Sequence, residues 1–172
     1  MMLETERLIL REMTDDDFDA IYAVLADSDI TQHYPYTFDE ARVRGWIARN
    51  KERYRTDGFG LWAVVLKETG EVIGDCGLTL QPINGQMLPE IGYHIHKACW
   101  RRGYASEAAR KCMEYAFETL HFPAVYSYMT SDNAASYGVA LKNGMKLVEE
   151  YDDHGVPHRV YALTREEWEQ TT

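Results

Sequence analysis

The chain has 172 residues, 45% of them hydrophobic, with 18 Lys and Arg set against 28 Asp and Glu for a net charge of −10. That balance excludes a disordered chain, and an acidic surface without any Lys/Arg-rich run speaks against nucleic acid as a partner. No apolar run approaches the roughly 20 residues that span a bilayer, and residues 1–11 are too charged for a secretory signal, so no membrane partner is expected.

Chain order gives a strand at Arg7–Arg11, then a helix start at Thr14–Asp17 with Phe18, Ile21, Tyr22 and Leu25 at helical spacing. Thr37 and Glu40 form a capping-box pattern ahead of a second helix whose apolar side carries Val43, Trp46, Ile47 and Tyr54. Between these helices lies an aromatic loop, Thr31-Gln-His-Tyr-Pro-Tyr36. Leu61–Lys67 and Val72–Leu80 read as strands flanking a turn at Glu68–Glu71, and Glu90–Ile95 as a third strand in that run. A helix follows from about Gly103, then a strand at Ala124–Thr130 and a helix at Asn133–Asn143 ended by Gly144. Met145–Glu150 and Arg159–Leu163 close the chain as a hairpin around the polar turn Asp152–Pro157. The order βαα-βββ-α-β-α-ββ predicts an α+β (mixed α/β) fold, a mostly antiparallel mixed sheet of about seven strands flanked by about four helices. No linker or repeat interrupts it, so residues 1–172 are expected to form one domain. The three cysteines, Cys76, Cys99 and Cys112, are odd in number and lack CxxC spacing. They fit neither a disulfide framework nor a zinc site and point to a reducing cytoplasm.

The segment Lys97–Phe117 raises a specific question. Ala105, Ala108, Ala109, Cys112, Met113, Ala116, Phe117 and Leu120 form a core-facing stripe, so Cys112 and Met113 read as packing. Arg101 and Arg102, however, stand at the positive end of the helix dipole, where cations are unfavourable unless an anion is present. Gly103 lets a ligand approach the backbone. The first-turn N–H groups of Gly103, Tyr104, Ala105 and Ser106 have no intrahelical partner, which makes a phosphate site. The plainer reading is a helix terminus with solvated arginines. GxxxxGK[ST] and GxGxxG are both absent, which removes the usual nucleoside triphosphate and dinucleotide sites.

Four collinear blocks carry a family resemblance. Thr5–Arg11, Val72-Ile-Gly74, Glu90–Ile95 with Trp100–Ala105, and Asn133–Ser136 with Lys142–Met145 resemble the GNAT-type N-acetyltransferases. The branch is the one that includes the ribosomal-protein N-terminal (alanine/serine) acetyltransferases. The resemblance implies a GNAT-like domain and acetyl-CoA as cosubstrate, with its diphosphate on Arg101, Arg102, Gly103, Tyr104, Ala105 and Ser106. It implies that Tyr93, His94 and Ile95 pair with the pantetheine arm, that Asn133 holds that arm from the other side, and that a bulge in this strand frees an N–H. No metal is required, the other partner is an amine acceptor, and a homodimer stays open.

The same resemblance puts an acidic residue at Glu90, the candidate general base, with a sheet-end glutamate as the plain alternative. Such a carboxylate needs desolvation or a water relay to take a proton from an ammonium. His94 shares a face with Gly92 and His96, and fits either a proton relay or a hydrogen-bonded sheet histidine; the two histidines lack a third metal ligand. Many members carry an acidic tyrosine where this chain has Ala140, and the branch suggests Ser136 in that role. Tyr137 would point about 100° away around the helix. The acceptor is expected beside His33, Tyr34 and Tyr36 and the turn Asp152–His154, which could equally be a solvated tip. The function expected is therefore acetyl transfer to a primary amine, either a protein N-terminus or a small molecule. An acyl-CoA-binding module with little turnover is the alternative.

Overall fold

The strands are β1 (Met2–Glu4), β2 (Leu8–Arg11), β3 (Leu61–Leu66), β4 (Val72–Ile83), β5 (Gln86–Ile95), β6 (Ala124–Thr130), β7 (Lys146–Asp153) and β8 (Val156–Thr164). In a computed structural model, which describes residues 2–171, they form one sheet in the order β1-β2-β3-β4-β5-β6-β8-β7. The helices are α1 (Phe18–Leu25), α2 (Ser28–Thr31), α3 (Glu40–Thr56), α4 (Tyr104–Glu118), α5 (Ala134–Lys142) and α6 (Arg165–Thr171). No helix among the described residues is long and apolar enough to cross a membrane.

The expected order survives, with three additions and one shifted cap. Strand β1 has three residues, too few to show alternation, and pairs with β2 through Leu3↔Leu10. Helix α2 is a single turn whose start is fixed by the Asp27 side chain accepting from the Asp29 N–H. Helix α6 buries chiefly Trp168, so its amphipathic signal is weak. Helix α3 begins after Asp39, not Thr37: the Asp39 carboxylate accepts the Arg42 N–H at 2.8 Å. A charged acceptor directly before the first turn suits the dipole better than the more distant threonine.

Side-chain alternation along β3 divides the core. Trp62 and Val64 join Ala108, Cys112, Phe117 and Trp168 in the layer of α4 and α6, while Leu61 and Ala63 join Ile21, Leu25, Val43 and Ile47 in the layer of α1 and α3. Cys76 and Cys112 are buried between β4 and α4 with their sulfurs 3.7 Å apart. Gly74 has φ +156°, and a Cβ there would lie 1.9 Å from the His94 carbonyl oxygen, so β4 and β5 can approach only with glycine at this position.

The junction of β5 and β6 positions the cleft. β4 and β5 stay paired from Ile83↔Gln86 to Gly74↔Ile95. β5 and β6 are parallel and share the single register pair Glu90↔Tyr126. Ser127 Oγ closes the junction by donating to the Ile91 carbonyl at 2.9 Å. Beyond it the two strands part.

Candidate active site

A cleft of about 1770 Å³ opens where β5 and β6 separate. Backbone groups in a strand alternate sides. The Ile91 carbonyl meets Ser127 and the Ile95 carbonyl accepts Trp100 Nε1 at 2.7 Å, both away from β4, so Tyr93 between them turns its N–H and C=O into the gap. The opening in the sheet, and not the expected bulge in β5, frees these groups: the β4–β5 register is regular, and the irregularity lies on β4, where the pairing steps from Val64↔Gly74 to Val65↔Val72.

Helix α4 starts at one end of this opening. Its N-cap is Gly103 at φ +81°, preceded by Arg101 at φ +64°, and its first main-chain bond runs from the Glu107 N–H to the Gly103 carbonyl. The N–H groups of the first turn are therefore unused, as an anion requires. Arg101, Gly103, Tyr104, Ala105 and Ser106 line the cleft; Arg102 is exposed and does not. Two cations missed in the sequence stand nearby: a Cβ on Gly103 would lie 3.4 Å from Arg7 Nη2 and 3.9 Å from Lys142 Nζ. Arg7 is held there by Glu107, at 2.7 Å, and lies over the Tyr104 ring at 4.4 Å. This donor set, all N–H groups and cations around a position with no side chain, fits a diphosphate.

On the same side of the sheet, Tyr93 donates its hydroxyl to the Ser136 carbonyl at 2.6 Å, with Ser136 Oγ at 3.3 Å. Asn133 caps α5 by accepting the Ser136 N–H at 3.2 Å, which leaves its amide hydrogens for another partner. Burial pushes the Tyr93 phenol well above its usual range, so it stays protonated. Ala140 is buried, and Tyr137 turns away to stack on Tyr161.

Glu90 lies at the junction itself. Burial is the main cause raising its carboxyl to about 8; a hydrogen bond from the Tyr128 backbone and the charge of Arg53 oppose it. Gly92, two residues on, keeps the space beside it clear: a Cβ there would come within 3.3 Å of Glu90 Oε1.

The opposite face of β5 carries a second constellation. His94 Nδ1 is 2.8 Å from Asp75 Oδ1, and its Nε2 is 2.8 Å from the Tyr34 hydroxyl. Trp46 Nε1 donates to the other Asp75 oxygen at 3.0 Å. Thus the His94 imidazole is turned to the face opposite Tyr93 and Ile95, away from the Tyr93–Ser136 pair. Asp75 is 1% exposed and both its oxygens are occupied, so it fixes the ring. Tyr34 packs on Phe38 and Tyr36, and Arg42 lies over Tyr36 at 3.8 Å. His33 ties the loop to the end of β6 through Thr130 and Asp132. Across the cleft, Tyr128 and Tyr151 stack on His158. Asp153 reaches the lining, whereas Asp152 and His154 stay on the exposed tip. Asp75 carried no signal of its own, since only the β4–β5 register Asp75↔His94 brings it to the histidine, and Trp46 reads in the sequence only as part of the apolar side of α3.

Residues 7–146 match the family described as Acetyltransferase (GNAT) domain. The uncharacterized protein YkkB of Bacillus subtilis is 35% identical over 160 residues, covering 92% of this chain and 93% of that one. A solved acetyltransferase (GNAT family) from Bacillus anthracis superposes with a TM-score of 0.84 at 25% identity, over 97% of this chain and all of its own. The ribosomal L7/L12 alpha-N-protein acetyltransferase RimL, solved in complex with coenzyme A, shares the fold at a TM-score of 0.78 and 20% identity, over 97% and 99% of the two chains.

Proposed function

The chain belongs to the GNAT acetyltransferase family, and we propose that it moves an acetyl group from acetyl-CoA to the nitrogen of a primary amine, with Glu90 as general base. The observation that carries this reading is the position of a high-pKa carboxyl at the point where the sheet opens, between an anion-binding helix terminus and an aromatic half-cleft.

Acetyl-CoA supplies the acetyl group as a thioester. Arg101, Gly103, Tyr104, Ala105 and Ser106 would hold its diphosphate, with Arg7 and Lys142 adding charge. The open edge of β5 at Tyr93 would hold the pantetheine arm, with Asn133 opposite. Fixed N–H donors of this kind also stabilise charge developing on a carbonyl oxygen, and removal of one typically costs about 2.7–4 kcal/mol. Glu90, with a pKa of about 8, is matched to an α-amino or other weakly basic amine that titrates near 8 and less well to a lysine near 10.4. The departing thiolate would take its proton from solvent, while Ser136 Oγ, 3.3 Å from the Tyr93 hydroxyl, would hydrogen-bond the sulfur as it leaves. Because a thiolate of pKa about 8.5 leaves readily, this hydrogen bond contributes less than the base. His33, Tyr34 and Tyr36 would form one wall of the acceptor site and His94 its fixed floor.

The test is thiol release by the purified protein from acetyl-CoA across a panel of amines, together with calorimetry of coenzyme A binding. Saturable thiol release that needs both the coenzyme and an amine supports the reading. Tight binding without release from any amine would leave a coenzyme-binding module in its place.

A further inference from the structure

Helix α3 presents Arg42, Arg49 and Arg53 to the cleft, at spacings of seven and four that place them along one stripe. The other cations of the helix are matched: Arg44 pairs with Glu40, Lys51 with Asp15 and Arg55 with Glu52. Among the described residues, the three on the cleft side are in no salt bridge. Arg42 lies over the Tyr36 ring, and Arg53 gives one N–H to Asn50 Oδ1 at 3.0 Å.

In a chain with 28 acidic residues and a net charge of −10, carboxylates to neutralise this stripe are plentiful. The acids that line the same cleft are otherwise engaged, Asp153 with His154 on the hairpin across the cleft. Asp29 pairs with Lys97, Asp132 with His33, and Asp39 caps α3. Glu90 is near Arg53, but with a pKa of about 8 it is mostly uncharged at neutral pH. Burial, and then the neighbouring Arg49, pull the Arg53 guanidinium below its usual range; the charges of Asp57, which does not line the cleft, and of Glu90 oppose this and are outweighed.

Gly45 lies on the stripe between Arg42 and Arg49, with nothing within 4 Å of where its Cβ would stand. Glycine is the poorest ordinary residue inside a helix, and packing does not demand it here. It does keep the space over the stripe clear. The stripe belongs to the layer over the Gly92 and His94 face of β5, opposite to α4 and the Tyr93–Ser136 pair, so it faces the acceptor half of the cleft and not the diphosphate loop.

We infer that the acceptor is an amine that also carries an anionic group, a carboxylate or a phosphate, received by Arg49 and Arg53 with Arg42 at the rim. This rests on the acetyl-transfer reading above and deepens it. Guanidinium forks match both oxyanions bidentately.

The test uses matched pairs of acceptors on the full chain with acetyl-CoA: β-alanine against β-alanine amide for a carboxylate, and O-phosphoethanolamine against ethanolamine for a phosphate. Thiol release is expressed per unprotonated amine. At least one anionic member should exceed its neutral partner about tenfold or more in kcat/KM, and the pair that does so tells carboxylate from phosphate. Raising salt should increase its KM. In Arg49→Gln, a solvent-accessible residue of the cleft lining, and in Arg53→Gln, the ratio should fall toward one; thermal unfolding would verify that both are folded. Neutral members that equal or outrun their anionic partners, or a ratio unmoved in both variants, overturn the inference and leave acetyl transfer standing. Absence of thiol release from every amine overturns both.

Discussion

Replacing Glu90 with glutamine separates the cost of this carboxyl to the fold from its use in catalysis. In the native chain its pKa lies at about 8 against an ordinary 4.5. A native pKa above the unfolded one means that the protonated form is the one the fold favours. That contribution is complete below about pH 4.5, declines as pH rises, and is gone above about pH 8. At about 1.4 kcal/mol per tenfold change, the ionised native state is disfavoured by at most about 5 kcal/mol. Glutamine has the same shape and never ionises. The stability of Glu90→Gln relative to wild type should therefore climb by a few kcal/mol between about pH 5 and pH 9, read from urea unfolding at each pH. Catalysis should move the other way. About a tenth of Glu90 is ionised at pH 7 and about nine-tenths at pH 9, from the same pKa. With any one amine, the ratio of wild-type to variant kcat/KM should rise about tenfold over that range, since the ionisation of the amine cancels. Coenzyme A affinity should be unchanged. Stability curves that stay parallel with pH would refute the burial argument, and a flat activity ratio would remove Glu90 as the base.

Three further outcomes follow from the geometry. Gly103→Ala forces a side chain into φ +81° beside Arg7, at about 1–2 kcal/mol in backbone terms; coenzyme A affinity measured by calorimetry should fall at least about tenfold, and an unchanged affinity would detach this loop from the diphosphate. Asp75→Asn leaves a single acceptor oxygen for the His94 and Trp46 donors, so denaturant unfolding should register a loss of about 1–3 kcal/mol, and the downfield His94 ring N–H resonance should shift or broaden; an unaltered resonance would mean that Asp75 does not fix the ring. Gly74→Ala places a Cβ 1.9 Å from the His94 carbonyl, an overlap that should cost at least about 3 kcal/mol or prevent folding, and a variant of wild-type stability in urea would show that β4 and β5 can separate there.

What the sequence made legible was local. Gly103 with its arginines is readable because a helix terminus is built from consecutive residues, whereas Glu90, expected at the head of a strand, lies in the middle of one that begins at Gln86. Strand β1 escaped notice because three residues carry no period. Arg7 stands about a hundred residues before Gly103 and Lys142 about forty after it, and their approach depends on how β2 and α5 flank α4. The Asp75–His94–Tyr34 chain draws on two strands and a loop, so only the β4–β5 register reveals it. The family resemblance groups His94 with Tyr93 and Ile95 along one strand, but alternation along β5 sends its ring to the other face, onto Asp75 and Tyr34. The arginine stripe of α3 was in plain view at regular spacing, but the helix was read for its apolar side, and charge on the other side reads as solvated surface until a cleft is known to lie against it.

The parting of β5 from β6 gives the cleft two halves, one on each face of the sheet, that meet beside Glu90. Under the proposed arrangement each reactant has its own route in and its own route out, so neither must vacate before the other arrives. Turnover then passes through a complex of all three molecules, with no acetylated protein between two half-reactions. It also means that the aromatic loop and the β7–β8 hairpin can be rebuilt to admit a different nitrogen compound while the diphosphate loop stays as it is.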